Sequence, residues 1–405
     1  MTRAARSFAT DERDFAAASN SAAITGSILM AGTPALFEPL RLGGITLANR
    51  IAVSPMCQYS AEDGAANDWH LQHLGSLSLS GAGLVIVEQT AVEPAGRITH
   101  GCLGLYSDAS EAALARVVNF CRRAGSAALG IQLAHAGRKG SAKLSWEGGG
   151  PLPPDAGAWP MVAPSDIPFD NRWPAPEALD EVGLTRIRDA HAAAVKRANR
   201  LGFDLVELLG AHGFLLHSFL SPITNQRTDS YGGSLANRMR YPLEVAAGIR
   251  EVWPRDKALG MRITGTDWVD GGITPDEAGV FAGRLREIGF DYVCVSSGGI
   301  SPAARPAIAP RYQVPLAAAV KKASGIVVQA VGMIVDPHQA GAIVADGHAD
   351  CVALARGFLD DPRWVWHAAA ALGTDAVYPP QYLRARPEHW PGAALTPHRP
   401  TPERS

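Results

Sequence analysis

From Phe37 onward, the hydrophobic positions form short, nearly continuous apolar runs that alternate with segments of helical periodicity. Eight runs have this character: Ile51–Met56, Leu84–Glu88, Ala128–Leu133, Leu205–Leu209, Leu259–Ile263, Tyr292–Ser296, Ile326–Ala330 and Cys351–Ala355. Apolar strands alternating with helices are typical of a parallel sheet covered on its outer face. Eight repeats predict an α/β protein with a single (β/α)8 TIM barrel. An open, doubly wound sheet is the alternative, but no Gly-x-Gly-x-x-Gly follows a strand to support it.

Two features extend this minimal barrel. In PLRLGGITLANR, Pro39–Arg50, the pair Gly43-Gly44 separates two short apolar runs, as in a tight hairpin turn. We expect this N-terminal β-hairpin to plug the amino-terminal face of the barrel. The proline-rich segment Arg138–Asp180, which contains EGGGPLPPD, predicts a long insertion after strand 3. That insertion is expected on the face where barrel enzymes do their chemistry.

The ends of the chain differ from its centre. Residues 1–34 are rich in Ala, Ser and Thr, and carry Asp11 and Glu12 where an export signal needs an apolar core. We therefore expect a disordered N-terminal extension over 1–34, a barrel domain over 35–375 and a C-terminal tail over 376–405. No apolar run has the length of a membrane helix, so a membrane partner is not expected.

Composition narrows the function classes. The 405 residues are 47% hydrophobic and 19% charged, with a net charge of −2, which lacks the basic excess of nucleic-acid binders. A small-molecule partner is expected instead. The cysteines are scattered without a CxxC pair, and His70 and His73 lack a partner with metal-ligand spacing. The sequence thus favours a reduced, cytoplasmic location and predicts no metal site.

Candidate chemistry lies where the predicted strands end, because barrel active sites form at the carboxyl ends of the strands. Cys57 and Tyr59 follow strand 1, Gln132 and Lys139 lie at and beyond the end of strand 3, and Arg262 lies near the end of strand 5.

Glycine-containing turns follow the last three strands. They are Ser297-Gly298, Gly332-Met333 and Arg356-Gly357. Backbone N–H groups in such turns, together with a guanidinium, suit a phosphate group. Glycine after a barrel strand is also common in simple turns, so the residues alone leave phosphate binding as a hypothesis.

Several longer motifs resemble one known family. SPMCQYS, IQLAHAGRK, HSFLSPITNQRTDSYGGSLANR, VGM and ARGFLDDPRW are similar to motifs of the old yellow enzymes, which are FMN-dependent ene-reductases. The resemblance is to the bacterial thermophilic-like branch that includes xenobiotic reductase A, and it covers about Leu36 to Arg384. It implies FMN at the mouth of a (β/α)8 barrel, with NAD(P)H as the reductant.

The resemblance also implies roles for individual residues. It places around FMN the residues Pro55, Met56, Cys57, Gln89, Gln132, Arg262, Ser297, Gly298, Gly332, Met333, Arg356 and Gly357. It places in the substrate pocket Tyr59, Lys139, His212, Phe214 and Arg384. Cys57 would tune the flavin, while Gln132 and Arg262 would bind its pyrimidine ring. Arg384 matches an arginine that reaches a neighbouring subunit in relatives, which implies a homo-oligomer, a dimer or a tetramer.

The motif after strand 4 departs from the family pattern. Relatives carry two donors, His-x-x-His or His-x-x-Asn, that bind the substrate oxygen, and then a tyrosine that protonates the α-carbon. Here these three positions are Leu209, His212 and Phe214, so one donor of three remains. A lost oxyanion donor costs roughly 10²–10³ in rate, and a lost general acid roughly 10²–10⁴. Tyr59 is a candidate replacement acid, so we take these four residues and Cys57 as the catalytic positions.

Three interpretations of this altered pocket stay open. In the first, the chain is a flavin reductase of an activated alkene whose proton comes from Tyr59 or water. In the second, it catalyses an isomerisation or a desaturation that needs no tyrosine acid. In the third, the barrel binds FMN or another phosphate ligand without redox turnover. The number of flavin motifs disfavours the third.

Overall fold

The structure is a computed structural model that describes residues 32–395. Nearly all of these residues belong to one compact unit that begins at Pro34. The predicted disordered extension falls almost entirely outside the described residues, as do the last ten residues of the predicted tail.

Eight parallel strands close into a barrel in the order β10-β11-β12-β3-β4-β5-β8-β9. These barrel strands are β3 (Ile51–Val53), β4 (Leu84–Ala91), β5 (Ala128–Ala134), β8 (Leu205–Gly210), β9 (Ala258–Thr264), β10 (Tyr292–Ser296), β11 (Val327–Val331) and β12 (Cys351–Leu354). Nearly every strand residue is buried, because one face packs inside the barrel and the other packs against helices. The predicted (β/α)8 barrel is therefore confirmed.

The helices that cover the barrel follow the strands along the chain. They are α1 (Asp68–Ser78), α2 (Asp108–Ala124), α3 (Glu181–Arg200), α4 (Leu215–Leu220), α5 (Leu235–Val252), α6 (Pro275–Ile288), α7 (Val314–Ser324), α8 (Pro337–Ala345), α9 (Arg356–Asp360) and α10 (Trp364–Ala371). Polar side chains cap several of their amino termini. Thr274, for example, accepts a hydrogen bond from the backbone of Glu277, whose carboxylate accepts one in return.

The N-terminal hairpin forms as predicted. Strands β1 (Leu40–Leu42) and β2 (Ile45–Leu47) pair antiparallel across the Gly43-Gly44 turn. A side chain at Gly44 would collide with the backbone of Asp256, which precedes β9. Leu42 of the hairpin belongs to the same buried cluster as residues in the first half of the barrel strands. The hairpin therefore closes the amino-terminal face and leaves the opposite face for function.

The insertion after β5 forms an ordered layer above the carboxyl ends of the strands. It contains three short 3-10 turns and the two-residue pair β6 (Val162–Ala163) and β7 (Glu177–Ala178). The guanidinium of Arg138 donates to the backbone oxygens of Ile167 and Pro168 in the insertion, and to that of Ile300 after β10. This one buried side chain ties the insertion to the barrel.

The largest differences from the predicted strand boundaries occur in β3 and β4. β3 ends at Val53, so the residues up to Met56 form an irregular segment at the barrel mouth. β4 continues to Ala91 and contains a register irregularity between Val87 and Gln89. The first difference places Ser54 in the irregular segment, and the second places Gln89 within β4. Both residues are polar and lie at the mouth of the barrel, where apolar runs were expected.

The chain beyond the barrel folds back against it. Residues 380–385 form a 3-10 turn that lies over α10, where the rings of Trp366 and Tyr378 stack with centroids 4.1 Å apart. Between residues 32 and 395, we find no helix with the length and apolar character needed to span a bilayer.

Candidate active site

Arg262 lies near the carboxyl end of β9, with its guanidinium held on both sides. One terminal nitrogen donates to Ser54 Oγ at 3.1 Å and the other to Ser296 Oγ at 3.4 Å. Its Nε is buried and has no hydrogen-bond partner among the described residues. A buried donor without an acceptor is costly, so this nitrogen is a candidate contact for a ligand.

A carboxylate that the sequence analysis missed lies beside this arginine. Glu207 on β8 is fully buried and accepts hydrogen bonds from Gln132 Nε2 and from the Tyr292 hydroxyl, each at 2.7 Å. Burial raises the pKa of Glu207, while the charge of Arg262 and the two hydrogen bonds act in the opposite direction. The sequence did contain a signal for Glu207: it is the one charged residue in an otherwise apolar strand. Charged residues are rarely buried without partners, so a partner could have been expected.

Cys57 and Gln89 meet at the end of the first two barrel strands. The Cys57 thiol lies 3.9 Å from Gln89 Oε1, and Gln89 Nε2 is buried without a partner in the described structure. Burial raises the pKa of both Cys57 and Tyr59. Both groups are therefore protonated near neutral pH, so Cys57 is not a thiolate nucleophile.

The irregularity in β4 explains why Gln89 faces the barrel mouth. Val87 pairs with Ile131 and Gln89 with Gln132, so Glu88 is an extra residue with no partner across the ladder. Glu88 contacts the buried ring of His70 on α1 instead, with Nε2 and Oε1 3.5 Å apart. The described residues contain no cluster of His, Cys, Asp or Glu suited to a metal.

His212 follows β8 and carries a ring that is neutral. Its Nε2 lies 2.7 Å from Ser296 Oγ, the same hydroxyl that contacts Arg262. Burial and the positive charges of Arg262 and Lys139 hold the pKa of His212 well below its usual range. The ring can therefore offer one N–H to a substrate but does not titrate near pH 7.

The two positions that depart from the family pattern are apolar in the structure as well. Leu209 is buried in a small cluster with Ala134 and Ala211, and Phe214 packs partly buried against it. The structure therefore places an apolar wall beside His212.

Lys139 connects the insertion to two loops of the mouth. Its ammonium donates to the backbone oxygens of His212 at 2.8 Å and Gly299 at 3.1 Å, and lies over the rings of Phe169 and Phe214. Burial and the nearby Arg138 lower its pKa to about 8. Its role in this structure is to hold His212, not to face open solvent.

The glycine-containing turns after β10 and β11 are linked by Gln313, another residue that the sequence analysis missed. Gln313 is buried, accepts from Ser297 Oγ at 2.5 Å and donates to the backbone oxygen of Val331 at 2.9 Å. A side chain at Gly332 would lie 2.2 Å from Gln313 Nε2, so only glycine fits there. Gln313 lies outside every motif in the sequence, so no sequence signal identified it.

The remaining predicted residues line the same rim or lie away from it. Pro55 and Met56 are partly buried after β3, Gly298 has a left-handed backbone with φ of 69°, and Met333, Arg356 and Gly357 follow the last two strands, where Arg356 is exposed. Arg384 is exposed on the 3-10 turn over α10, so one subunit does not bring it into contact with these residues.

Four non-glycine residues that follow barrel strands have left-handed backbones. The φ angles are 51° at Tyr59, 60° at His212, 58° at Trp268 and 51° at Met333. This conformation is disfavoured for residues with a Cβ. The mouth of the barrel thus concentrates backbone strain, as functional sites often do.

The fold and this mouth define a class: (β/α)8 barrel enzymes that hold a cofactor at the carboxyl ends of the strands. Comparison with known proteins makes the class specific. Residues 35–375 match the model of the NADH:flavin oxidoreductase / NADH oxidase family. The chain belongs to this family of flavin oxidoreductases, the old yellow enzymes.

Individual relatives agree with that assignment. The chain is 39% identical over 351 residues to an NADPH dehydrogenase of Geobacillus thermodenitrificans, covering 86% of this chain and 98% of the relative. It is 41% identical over 362 residues to an NADH:flavin oxidoreductase of Gibberella zeae, covering 85% and 87%. A solved structure of morphinone reductase in complex with tetrahydroNAD is similar with a TM-score of 0.70 and 27% identity, covering 86% and 94%.

Proposed function

We propose that this chain is an FMN-dependent oxidoreductase that takes electrons from NAD(P)H and reduces an activated alkene-type substrate. FMN would supply the hydride through its N5 atom. The protein's contribution is to hold the flavin, orient the substrate and provide a proton. Family membership supports the flavin and nicotinamide, whereas the substrate class rests on the pocket residues.

The observation that carries the proposal is a pair of buried donors without acceptors at one rim. Arg262 Nε and Gln89 Nε2 both lack partners in the described structure, although both are buried. The ring edge of a flavin carries carbonyl and nitrogen acceptors that would satisfy such donors. Gln132 is the neighbour of Gln89 across the β4 and β5 ladder. Its side chain donates to Glu207, whose carboxylate interacts with the charge of Arg262.

The other end of FMN is a phosphate, and the turns after the last three strands suit it. Ser297-Gly298 and Gly332-Met333 are held together by Gln313, which keeps their backbone N–H groups in fixed positions. Arg356 begins α9 directly after β12 and is exposed, so its guanidinium is accessible for a bidentate pair with a phosphate. Pro55, Met56, Cys57 and Gly357 complete the proposed flavin contacts.

Substrate would bind between the flavin and the apolar wall. His212 is the one donor for a substrate oxygen, and Lys139 fixes the backbone that positions it. Tyr59 is the proposed acid, because it follows β3 at the mouth and its hydroxyl interacts with the Cys57 thiol. Burial raises its pKa, which makes it a weaker acid than an ordinary tyrosine and predicts slow proton transfer. Leu209 and Phe214 would contact apolar parts of the substrate, which favours a molecule that needs little polarisation by the enzyme.

A second candidate function is an isomerisation or a desaturation at the same flavin. The apolar cluster of Leu209 with Ala134 and Ala211 supports it, because those reactions need no acid at the usual tyrosine position. Both candidates require a reducible flavin. A barrel that binds FMN without turnover would differ from both.

Anaerobic stopped-flow measurements separate these possibilities. The purified chain is mixed with NADH or NADPH, and the reduced flavin is then mixed with quinones, nitro compounds, enones or oxygen. Rapid reduction followed by reoxidation with an alkene supports the reductase. Reoxidation by oxygen or quinones alone favours a desaturase. Bound FMN that no nicotinamide reduces contradicts the proposal.

A double variant tests the altered motif. Leu209→His and Phe214→Tyr should together raise turnover of cyclohexenone, because they return one carbonyl donor and one acid, each worth roughly 10²-fold or more. They should lower activity on the native substrate, since polar groups replace an apolar wall. A variant with bound, reducible FMN but no faster enone turnover would show that these positions do not limit ene reduction.

Oligomer formation is proposed from the tail. Arg384 is exposed next to Tyr382 and Leu383, which are also more than 40% exposed. An apolar and cationic surface of this kind supports docking on a second copy of the chain, where Arg384 would reach the neighbouring site.

A further inference from the structure

Glu207 is a buried ionisable group that the proposed reaction does not use. It lies on β8 with 0% of its surface exposed, inside the barrel beneath the mouth. A carboxylate in such a place is strongly destabilising unless hydrogen bonds and charges compensate it. Here Gln132 and the charge of Arg262 compensate it from the proposed flavin site, and the Tyr292 hydroxyl compensates it from the start of β10.

The hydrogen-bond geometry of Glu207 suits its ionised form. Both carboxylate oxygens lie 2.7 Å from a donor, one from Gln132 Nε2 and the other from the Tyr292 hydroxyl. A carboxylate accepts at both oxygens, whereas a protonated carboxyl must also donate. The geometry therefore favours the ionised form. Burial, the largest influence, raises the pKa of Glu207, and the positive charge of Arg262 acts with the two hydrogen bonds to oppose that rise.

The same contacts orient Gln132. Because its amide nitrogen donates to Glu207, its amide oxygen is directed away from that carboxylate and stays available as an acceptor. Gln132 and Glu207 are neighbours across the β5 and β8 ladder, so the register of the barrel fixes this arrangement. Glu207 is thus one hydrogen bond away from a residue of the proposed flavin site.

We propose that Glu207 is a positioning residue that sets the reduction potential of the bound flavin. It holds the amide oxygen of Gln132 toward the flavin ring, and its negative charge offsets part of the positive charge of Arg262. Arg262 alone would stabilise the electron-rich reduced flavin, and Glu207 limits that stabilisation. The inference rests on the proposed function, because it requires that FMN occupies the mouth.

The predicted effect follows from the charge. In Glu207→Gln the side chain keeps its size but loses the charge, so reduced FMN should bind more tightly relative to oxidised FMN. For charges several ångströms apart at a protein-like dielectric, a change of the order of tenfold is expected. That ratio corresponds to a midpoint potential about 30 mV more positive for a two-electron couple.

Two other variants isolate the role of charge. Glu207→Asp keeps the charge but shortens the side chain, so it disturbs packing at least as much as the glutamine. Asp291→Asn removes a partly buried carboxylate whose Oδ2 accepts from the Leu259 backbone at 2.8 Å beside the hairpin, at the opposite end of the barrel. The midpoint potential of Asp291→Asn should stay near that of the parent. Glu207→Asp retains the charge but not the reach to Gln132, so it should shift the potential less than Glu207→Gln does.

The experiment measures the midpoint potential of FMN bound to the full-length parent and to each variant, with the dissociation constant of oxidised FMN. A positive shift that is largest in Glu207→Gln and absent in Asp291→Asn supports the proposal. An unchanged potential in Glu207→Gln, or an equal shift in Glu207→Asp, overturns it. A parent that binds no FMN contradicts the proposed function itself, which is a different result.

A measurement on the parent does not depend on any variant folding. Infrared difference spectra between oxidised and reduced protein should contain a perturbed carboxylate band from Glu207, because its charge interacts with the flavin site. A band of a protonated carboxyl group, or no carboxyl band, would overturn the proposal.

Discussion

Lys139 gives a prediction whose size can be calculated. The folded protein lowers its pKa from 10.5 to about 8, through burial and the adjacent charge of Arg138. Between these two pH values the unfolded chain binds more protons at this lysine than the folded chain does. Stability from this residue is therefore fully present above pH 10.5 and is lost as the pH falls through about 8.

The size follows from the same two values. A shift of about 2.5 units corresponds to about 3 kcal/mol over the whole range, at about 1.4 kcal/mol per unit. Between about pH 7 and about pH 9.5, Lys139 should increase the free energy of unfolding by about 2 kcal/mol. The Lys139→Met variant keeps much of the side chain but cannot titrate, so it should lack this increase.

Urea unfolding of the parent and of Lys139→Met, with FMN in excess at both pH values, measures the difference. The free energy of unfolding of the parent, minus that of Lys139→Met, should increase by about 2 kcal/mol from the lower to the higher pH. Lys143→Met is the matched control, because Lys143 is exposed on the same insertion. Parallel pH profiles for the parent and Lys139→Met would refute the argument.

Two further predictions concern the flavin. Arg356→Ala should purify with much less FMN, because a guanidinium that pairs with phosphate is lost; absorbance of the purified variant measures this, and full occupancy would exclude Arg356 as the phosphate ligand. Cys57→Ala should shift the midpoint potential while FMN binding is largely retained, since the thiol is protonated and contacts Gln89 rather than forming a covalent bond. If the potential stays the same, Cys57 is a packing residue only.

Much of the fold could be predicted from the sequence because its signals are local. An apolar run such as Leu205–Leu209 specifies a buried strand by itself, and the Gly43-Gly44 pair specifies a tight turn. Both features appear in the structure within a residue or two. The motif positions around the mouth were likewise accessible, because each directly follows a strand.

The parts of the site that could not be predicted from the sequence depend on contacts between distant segments of the chain. Glu207 acquires its partners from β5 and β10, and Gln313 joins the turns after β10 and β11. Neither partnership exists until the barrel closes in one register. The bulge at Glu88 is similar, because a single extra residue in β4 decides whether Gln89 or Glu88 faces the mouth.

The left-handed backbones at the mouth have a consequence for engineering. Tyr59, His212, Trp268 and Met333 occupy positions where glycine would be relaxed, and each non-glycine residue costs roughly 1 kcal/mol or more there. Replacing all four with glycine would relieve this strain but remove a proposed acid, a proposed donor and two rim side chains. Thermostability selection on this scaffold, run without a screen for turnover, would therefore be drawn toward these positions and would select against the catalyst.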